Sequence, residues 1–171
     1  MNDSQLTFAY EHFFPVIRAK CARMLKDPQE AEDVAQETFI RLWQSDLAEQ
    51  DQKQVSAWIY RVSTRAAIDR MRQRSRQSAL HEQAAIHAYG GSGHQELAAS
   101  EDEASLAARR LLLQLASQIP QEEMEVVILS RLDLLTHVQI AEVAACSERT
   151  VRRLLQRFDE RVQQLPSEQC R

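Results

Sequence analysis

Glycine is nearly missing from this chain. Three of its 171 residues are Gly and four are Pro. Average usage at this length gives about 12 Gly and about 9 Pro. Gly90, Gly91 and Gly93 are all the glycine there is. A β-sandwich or barrel turns often, and tight turns draw on Gly, Asn and Asp. A Rossmann or P-loop fold sets glycines at a phosphate-binding turn. Outside residues 90–93 this chain has none to place there. The absence largely excludes those folds and favours an all-α protein.

Other absences narrow the class. Cys21, Cys146 and Cys170 are odd in number, far apart, and show no C-x-x-C spacing. They suggest neither a disulfide framework nor a zinc site, and free thiols fit a reducing cytoplasm. The polar start, Met1-Asn2-Asp3-Ser4-Gln5, lacks a basic-then-apolar signal pattern. No apolar run approaches the roughly 18 residues of a membrane span. His81, His87 and His94 stand 6 and 7 apart, with no H-x-x-x-H pair on one helix face. A metal-dependent helical hydrolase would need such a pair. No nucleophile–base constellation is visible either. A cytoplasmic protein with no cofactor, metal, catalytic residue, small-molecule substrate or membrane insertion is expected.

What the chain has is unevenly distributed charge. Lys and Arg number 21 and Asp and Glu 25, a net of −4. A free-standing nucleic-acid binder usually carries a positive excess. Yet residues 57–77 hold Arg61, Arg65, Arg70, Arg72, Arg74 and Arg76 against Asp69 alone. Residues 78–105 hold no basic residue and five acids, namely Glu82, Glu96, Glu101, Asp102 and Glu103. Averaging conceals this alternation.

Apolar spacing predicts helices. Phe13, Ile17, Cys21 and Met24 form a stripe over residues 6–26. Asp27-Pro28-Gln29-Glu30 reads as a helix start, with Asp27 as cap and Pro28 at the first helical position. That helix reaches about Trp43, which its size places in the core. Val55, Trp58, Ile59, Val62 and Ala66 predict a third helix over 55–76, basic in its second half. Residues 78–105 contain every glycine and few large apolar side chains. They read as a flexible acidic linker, with at most a short helical piece around 79–88. Helices are expected again near 106–119 and 120–132.

Thr136-His137-Val138-Gln139 is a capping box, and Ser147 can cap a last helix. Two short helices joined by a tight turn, the second one basic, describe a helix-turn-helix. Ala141 is small enough for the crossing, and Ile140, Val143 and Val151 can line it. Arg149, Arg152, Arg153, Gln156 and Arg157 can face outward to guanine, adenine or phosphate. The turn usually carries glycine, and Ala145-Cys146 stands there instead.

These features together resemble a bacterial RNA polymerase sigma factor of the extracytoplasmic-function subgroup. The resemblance rests on Asp27 to Trp43 (DPQEAEDVAQETFIRLW), on Ala57-Trp58-Ile59-Tyr60-Arg61-Val62 with Ala67-Ile68-Asp69, and on residues 120–158. It implies two small helical domains, residues 1–77 and 106–171, joined by the linker 78–105. It implies core RNA polymerase and promoter DNA as partners. By position, Asp33, Gln36, Glu37, Phe39 and Leu42 would bind core polymerase. Tyr60, Arg61, Arg65, Arg72, Arg74 and Arg76 would serve the −10 element and its melted strand. Arg149, Arg152, Arg153, Gln156 and Arg157 would read the −35 element. Arg65 stands where many relatives carry asparagine, and Arg153 where many carry serine. Many relatives are held inactive by an anti-sigma factor lodged between the domains, a further partner the resemblance implies. The glycine cluster would be the hinge. The alternative is a stand-alone helix-turn-helix regulator with a helical sensing domain in residues 1–77.

Overall fold

The computed structural model describes residues 3–45, 47, 51–89 and 118–164. They form six helices: α1 Asp3–Leu25, α2 Pro28–Trp43, α3 Gln52–Tyr89, α4 Gln121–Arg131, α5 His137–Ala144 and α6 Glu148–Gln163. No strand occurs among the described residues. The fold is all-α, as the glycine shortage implied.

Helix α2 starts where the sequence says it should. The Asp27 carboxylate accepts from the backbone N–H groups of Gln29 and Glu30 at 3.0 and 3.1 Å, and Pro28 follows it. This satisfies two donors that a helix start otherwise leaves open. Arg74 of α3 reaches the same corner. It donates to Asp27 at 2.7 Å, to Glu30 at 3.0 Å and to the carbonyl of Leu25 at 2.9 Å. One guanidinium thus holds α3 against the α1–α2 turn. Behind it lies a core built from Ile17, Cys21, Leu25, Val34, Phe39, Leu42 and Ile59, with Ala9, Ala31, Ala35 and Ala67 at close approaches. Burying each large member stabilises the fold by about 1.5–3 kcal/mol.

Helix α3 runs to Tyr89, through the first part of the expected linker. Ala79, Leu80, Glu82, Gln83, Ala84 and Ala85 are strong helix formers. They continue the helix without needing an apolar stripe. The glycine cluster, and with it the expected hinge, lies outside the described residues, as does all but the end of the helix expected near 106–119.

Helix α4 is buried all round. Residues 123–129, seven in succession, are each at most 9% exposed. A helix resting on one neighbour buries a single stripe, so burial on every side means neighbours on every side. Met124 and Ile128 pack with Ile119 and with Ile68 of α3. Val126 and Leu129 pack with Ile140, Val143, Val151 and Leu154 of α5 and α6. The N-terminal helices and the helix-turn-helix therefore share α4 between them.

The capping box is complete. The backbone N–H of Thr136 donates to the Gln139 side chain at 2.9 Å, and the backbone N–H of Gln139 returns to Thr136 Oγ1 at 3.4 Å. Ser147 caps α6 by accepting from the Thr150 N–H at 3.1 Å. Between them Ala145 adopts a left-handed conformation, with φ 53°, at the position where helix-turn-helix turns usually carry glycine. A side chain there costs about 1–2 kcal/mol of backbone strain. Ala145→Gly relieves it, less the entropy that glycine adds to the unfolded chain. A net gain of about 0.5–1 kcal/mol is expected, seen as a higher urea midpoint at unchanged m-value. A lower midpoint would refute the strain.

Candidate polymerase and nucleic-acid interfaces

The outer face of α2 carries one chemistry. Asp33 and Gln36 are exposed and Glu37 is half-buried. Beside them Ile40 is 53% and Trp43 62% exposed. Two expectations are corrected here. Trp43 is not core; it walls an open groove of about 580 Å³ shared with Leu6, Tyr10, Phe39 and Ile40. Phe39 and Leu42, expected at the polymerase interface, turn inward and are 5% and 0% exposed. Helical geometry explains both. With Asp33, Gln36 and Glu37 outward, Ile40 lies four residues beyond Gln36 and three beyond Glu37, and Trp43 three beyond Ile40, so both share their face. Positions 35, 38, 39 and 42 face the core. The exposed pairs Glu37–Arg41 at 2.6 Å and Arg18–Glu32 at 3.2 Å are of the kind that adds at most about 1 kcal/mol to the fold.

Helix α3 presents its arginines unequally. Arg65 and Arg76 are exposed, and Arg61, Arg70 and Arg72 are half-buried. Arg65, Asp69 and Arg70 line an open cleft of about 580 Å³ with Glu37 and Arg41 of α2. It is polar and charged, with Arg41, Arg65 and Arg70 set against Glu37 and Asp69. Arg74 does not belong to this track, because its donors are spent on the α1–α2 corner. Tyr60 is tied into its surroundings as well. It packs edge-on against Phe13 and beneath the Lys20 ammonium, 5.1 Å from its ring centre. Burial pushes its phenol up. It is half-buried, packed on one side against the core.

The last helix has a single exposed basic face. Arg149, Arg152, Arg153, Gln156 and Arg157 all point to solvent, while Val151 and Leu154 are buried. Arg152 meets Glu148 at 3.3 Å and Gln156 donates to Glu160 at 2.8 Å. Arg149, Arg153 and Arg157 have no ion-pair partner among the described residues. Ile140 and Val143 of α5 close on Val151 at the crossing. The turn thiol of Cys146 is pushed up by burial, as is Cys21, to about 11. Both stay protonated near neutral pH and lack thiolate reactivity. Among the described residues no group of three or more His, Cys, Asp or Glu is placed to hold a metal.

Two family models match this chain in the order its faces appear. "Sigma-70 region 2" matches residues 9–77 and "Sigma-70, region 4" matches residues 109–158. The chain is also 29% identical over 141 residues to the "ECF RNA polymerase sigma factor SigW" of Bacillus subtilis (strain 168), covering 80% of this chain and 75% of that protein. The chain belongs to the sigma-70 family, in its extracytoplasmic-function subgroup. This sigma factor directs transcription initiation with core RNA polymerase at promoter DNA. The stand-alone regulator is not favoured. Region 2 comprises most of α1, all of α2 and the basic part of α3, while region 4 contains α4, α5 and most of α6. No described helix of the sigma factor is long and apolar enough to cross a membrane.

Three residues of consequence escaped the sequence. Ile40 and Trp43 carry no signal that separates them from core, because apolar residues occupy both faces of α2. Glu125 looks like one more surface acid beside Glu122 and Glu123. In the structure it is 2% exposed and its Oε2 accepts from Arg65 Nε at 2.9 Å.

Proposed function

We propose that this sigma factor grips core polymerase through Asp33, Gln36, Glu37, Ile40 and Trp43 of α2. It holds the −10 strand with Arg61, Arg65, Arg70, Arg72 and Arg76 of α3, and reads the −35 element with Arg149, Arg152, Arg153, Gln156 and Arg157 of α6. The observation that carries this is the exposure of Trp43 beside three polar groups. A large apolar side chain held in solvent next to carboxylates suits a partner that is both apolar and basic. The α6 face supports the −35 role, since its outward side chains are those that match guanine, adenine and phosphate. The compartment this requires is the cytoplasm, where polymerase and DNA are. An anti-sigma factor would act by denying either face to its partner. The chain itself supplies binding and positioning, and the polymerase supplies the chemistry.

Run-off transcription with purified core enzyme, with start sites mapped, tests the whole reading. No promoter-specific transcript would sink it. Arg153→Ala and Gln156→Ala are expected to relax selection at individual −35 positions by about 1–3 kcal/mol each. A uniform loss across all promoter variants would show that these side chains touch only phosphate.

A further inference from the structure

One carboxylate in the cleft between α2 and α3 serves neither the fold nor the charge balance. Asp69 lines that cleft and is exposed. Among the described residues it has no hydrogen-bond or ion-pair partner. Glu37, the other carboxylate of the cleft, is neutralised by Arg41 at 2.6 Å. Asp69 is also the one acid set among six arginines over residues 57–77. Phosphate is drawn to the arginines, and a carboxylate in the same row repels it. Alanine at this position would hold a DNA backbone better. The acid therefore points to a ligand that brings donors of its own.

The neighbours of Asp69 describe that ligand. Val62 and Ala66, one helical turn apart, are half-buried and give the cleft an apolar floor. Arg41 and Arg70 line the same cleft. At about 580 Å³ it falls within the range of roughly 300–1,000 Å³ in which small-molecule sites lie. An apolar floor takes the flat face of an unstacked base, arginine takes the phosphate, and Asp69 meets the edge of the base.

A carboxylate only accepts. In a melted strand the Watson–Crick edge of each base is open. Guanine sets two donors side by side on that edge, N1–H and the N2 amine, and these can meet both oxygens of one carboxylate. Adenine and cytosine set one amine beside a ring nitrogen that is itself an acceptor. Thymine sets a single N–H between two carbonyls. With each of those three, one oxygen of Asp69 faces a lone pair and goes unpaired.

We propose that Asp69 selects an unpaired guanine in the melted −10 strand, accepting from its N1–H and N2 amine within the α2–α3 cleft. This inference rests on the −10 reading of α3 given above and adds a specificity residue to it. The arginines hold the backbone of any strand, and the carboxylate fixes which base stands at one position.

Holoenzyme made from core polymerase and the full chain tests this on a promoter library randomised across the −35 and −10 segments. Open complexes are isolated and their DNA sequenced. Asp69→Asn keeps the size of the side chain and replaces one acceptor by a donor; with no partner to lose, the fold is unaffected. The substitution is expected to abolish selection at one melted position, where the wild type enriches guanine about tenfold or more. Base choice moved at no position, moved evenly at all of them, or moved at a position where the wild type prefers another base would each overturn the proposal. A merely structural role would move every position together. The −10 reading is scored separately with Arg70→Ala and Arg76→Ala. Full affinity of those holoenzymes for the library would refute that reading. Reduced affinity there, with Asp69→Asn leaving base choice unmoved, overturns the guanine assignment alone.

Discussion

Charge reversal at Asp33 and Glu37 is expected to abolish capture of core RNA polymerase by this sigma factor while leaving the helices intact. Like charge set against a basic partner costs several kcal/mol. At about 1.5 kcal/mol per reversed residue, the pair weakens binding by roughly 100-fold. The cost to the fold is small because neither side chain holds the core together. Among the described residues, Asp33 accepts only from the Gln29 side chain, at 3.2 Å, and Glu37 pairs only with exposed Arg41. Loss of one exposed i,i+4 pair costs about 0.3–0.5 kcal/mol, and both residues lie beyond the first turn, where the helix dipole adds little. Pull-down with core enzyme, alongside helicity by circular dichroism, separates the two effects. Unchanged capture would refute the interface.

Adjacent residues sharpen the same test. Trp43→Ala removes an exposed side chain and is expected to weaken capture by about 2 kcal/mol or more, with the urea midpoint unmoved. Leu42→Ala removes a side chain of 0% exposure and is expected to lose about 2–5 kcal/mol of stability. One position belongs to the partner and the next to the core. If Trp43→Ala unfolds the chain and Leu42→Ala does not, the facing of α2 has been assigned backwards.

That facing marks the boundary of what the sequence discloses. Asp27, Thr136 and Ser147 cap helices through bonds spanning two or three residues. Local chemistry of that kind is written in a short window, and each of these starts is legible. The basic face of α6 is legible for the same reason: one helix, one amphipathic pattern. Trp43 is not. Large apolar residues are buried more often than not, and a docking face inverts that tendency. Arg74 is illegible for another reason. Its partners Asp27 and Leu25 lie 47 and 49 residues away, so nothing local distinguishes it from the arginines around it. The burial of α4 on all sides is the extreme case. Its sequence QEEMEVVILSR mixes two glutamates into the buried run. Only the arginines brought from α3 and α6 make those carboxylates tolerable: Arg65 beside Glu125, and Arg161 3.0 Å from Glu123.

Lys20→Met is expected to cost the most of any single change that leaves chain volume intact. The Lys20 ammonium has no exposed surface. It donates to Thr64 Oγ1 at 2.6 Å and to Asp133 at 2.5 Å, and lies over the Tyr60 ring. Burial pushes this ammonium down, and Asp133 pushes back. Removing the cation leaves Asp133 as a buried carboxylate without a counter-charge, a loss of about 3–5 kcal/mol. Asp133 sits between α4 and α5 whereas Lys20 sits on α1, so the strain has an outlet short of unfolding. If the halves part, Asp133 reaches water. The variant should therefore expand in solution before it unfolds. Asp133→Leu alone should expand the chain too, since it strands the ammonium instead. Combining the two replaces the pair by apolar side chains of similar size, which is often neutral or stabilising by about 1–4 kcal/mol. The double variant is thus expected to close again, with a radius of gyration near wild type and a strongly favourable coupling in the mutant cycle. Simple addition of the two single losses would show that Lys20 and Asp133 act independently, and that the halves are held by apolar packing alone.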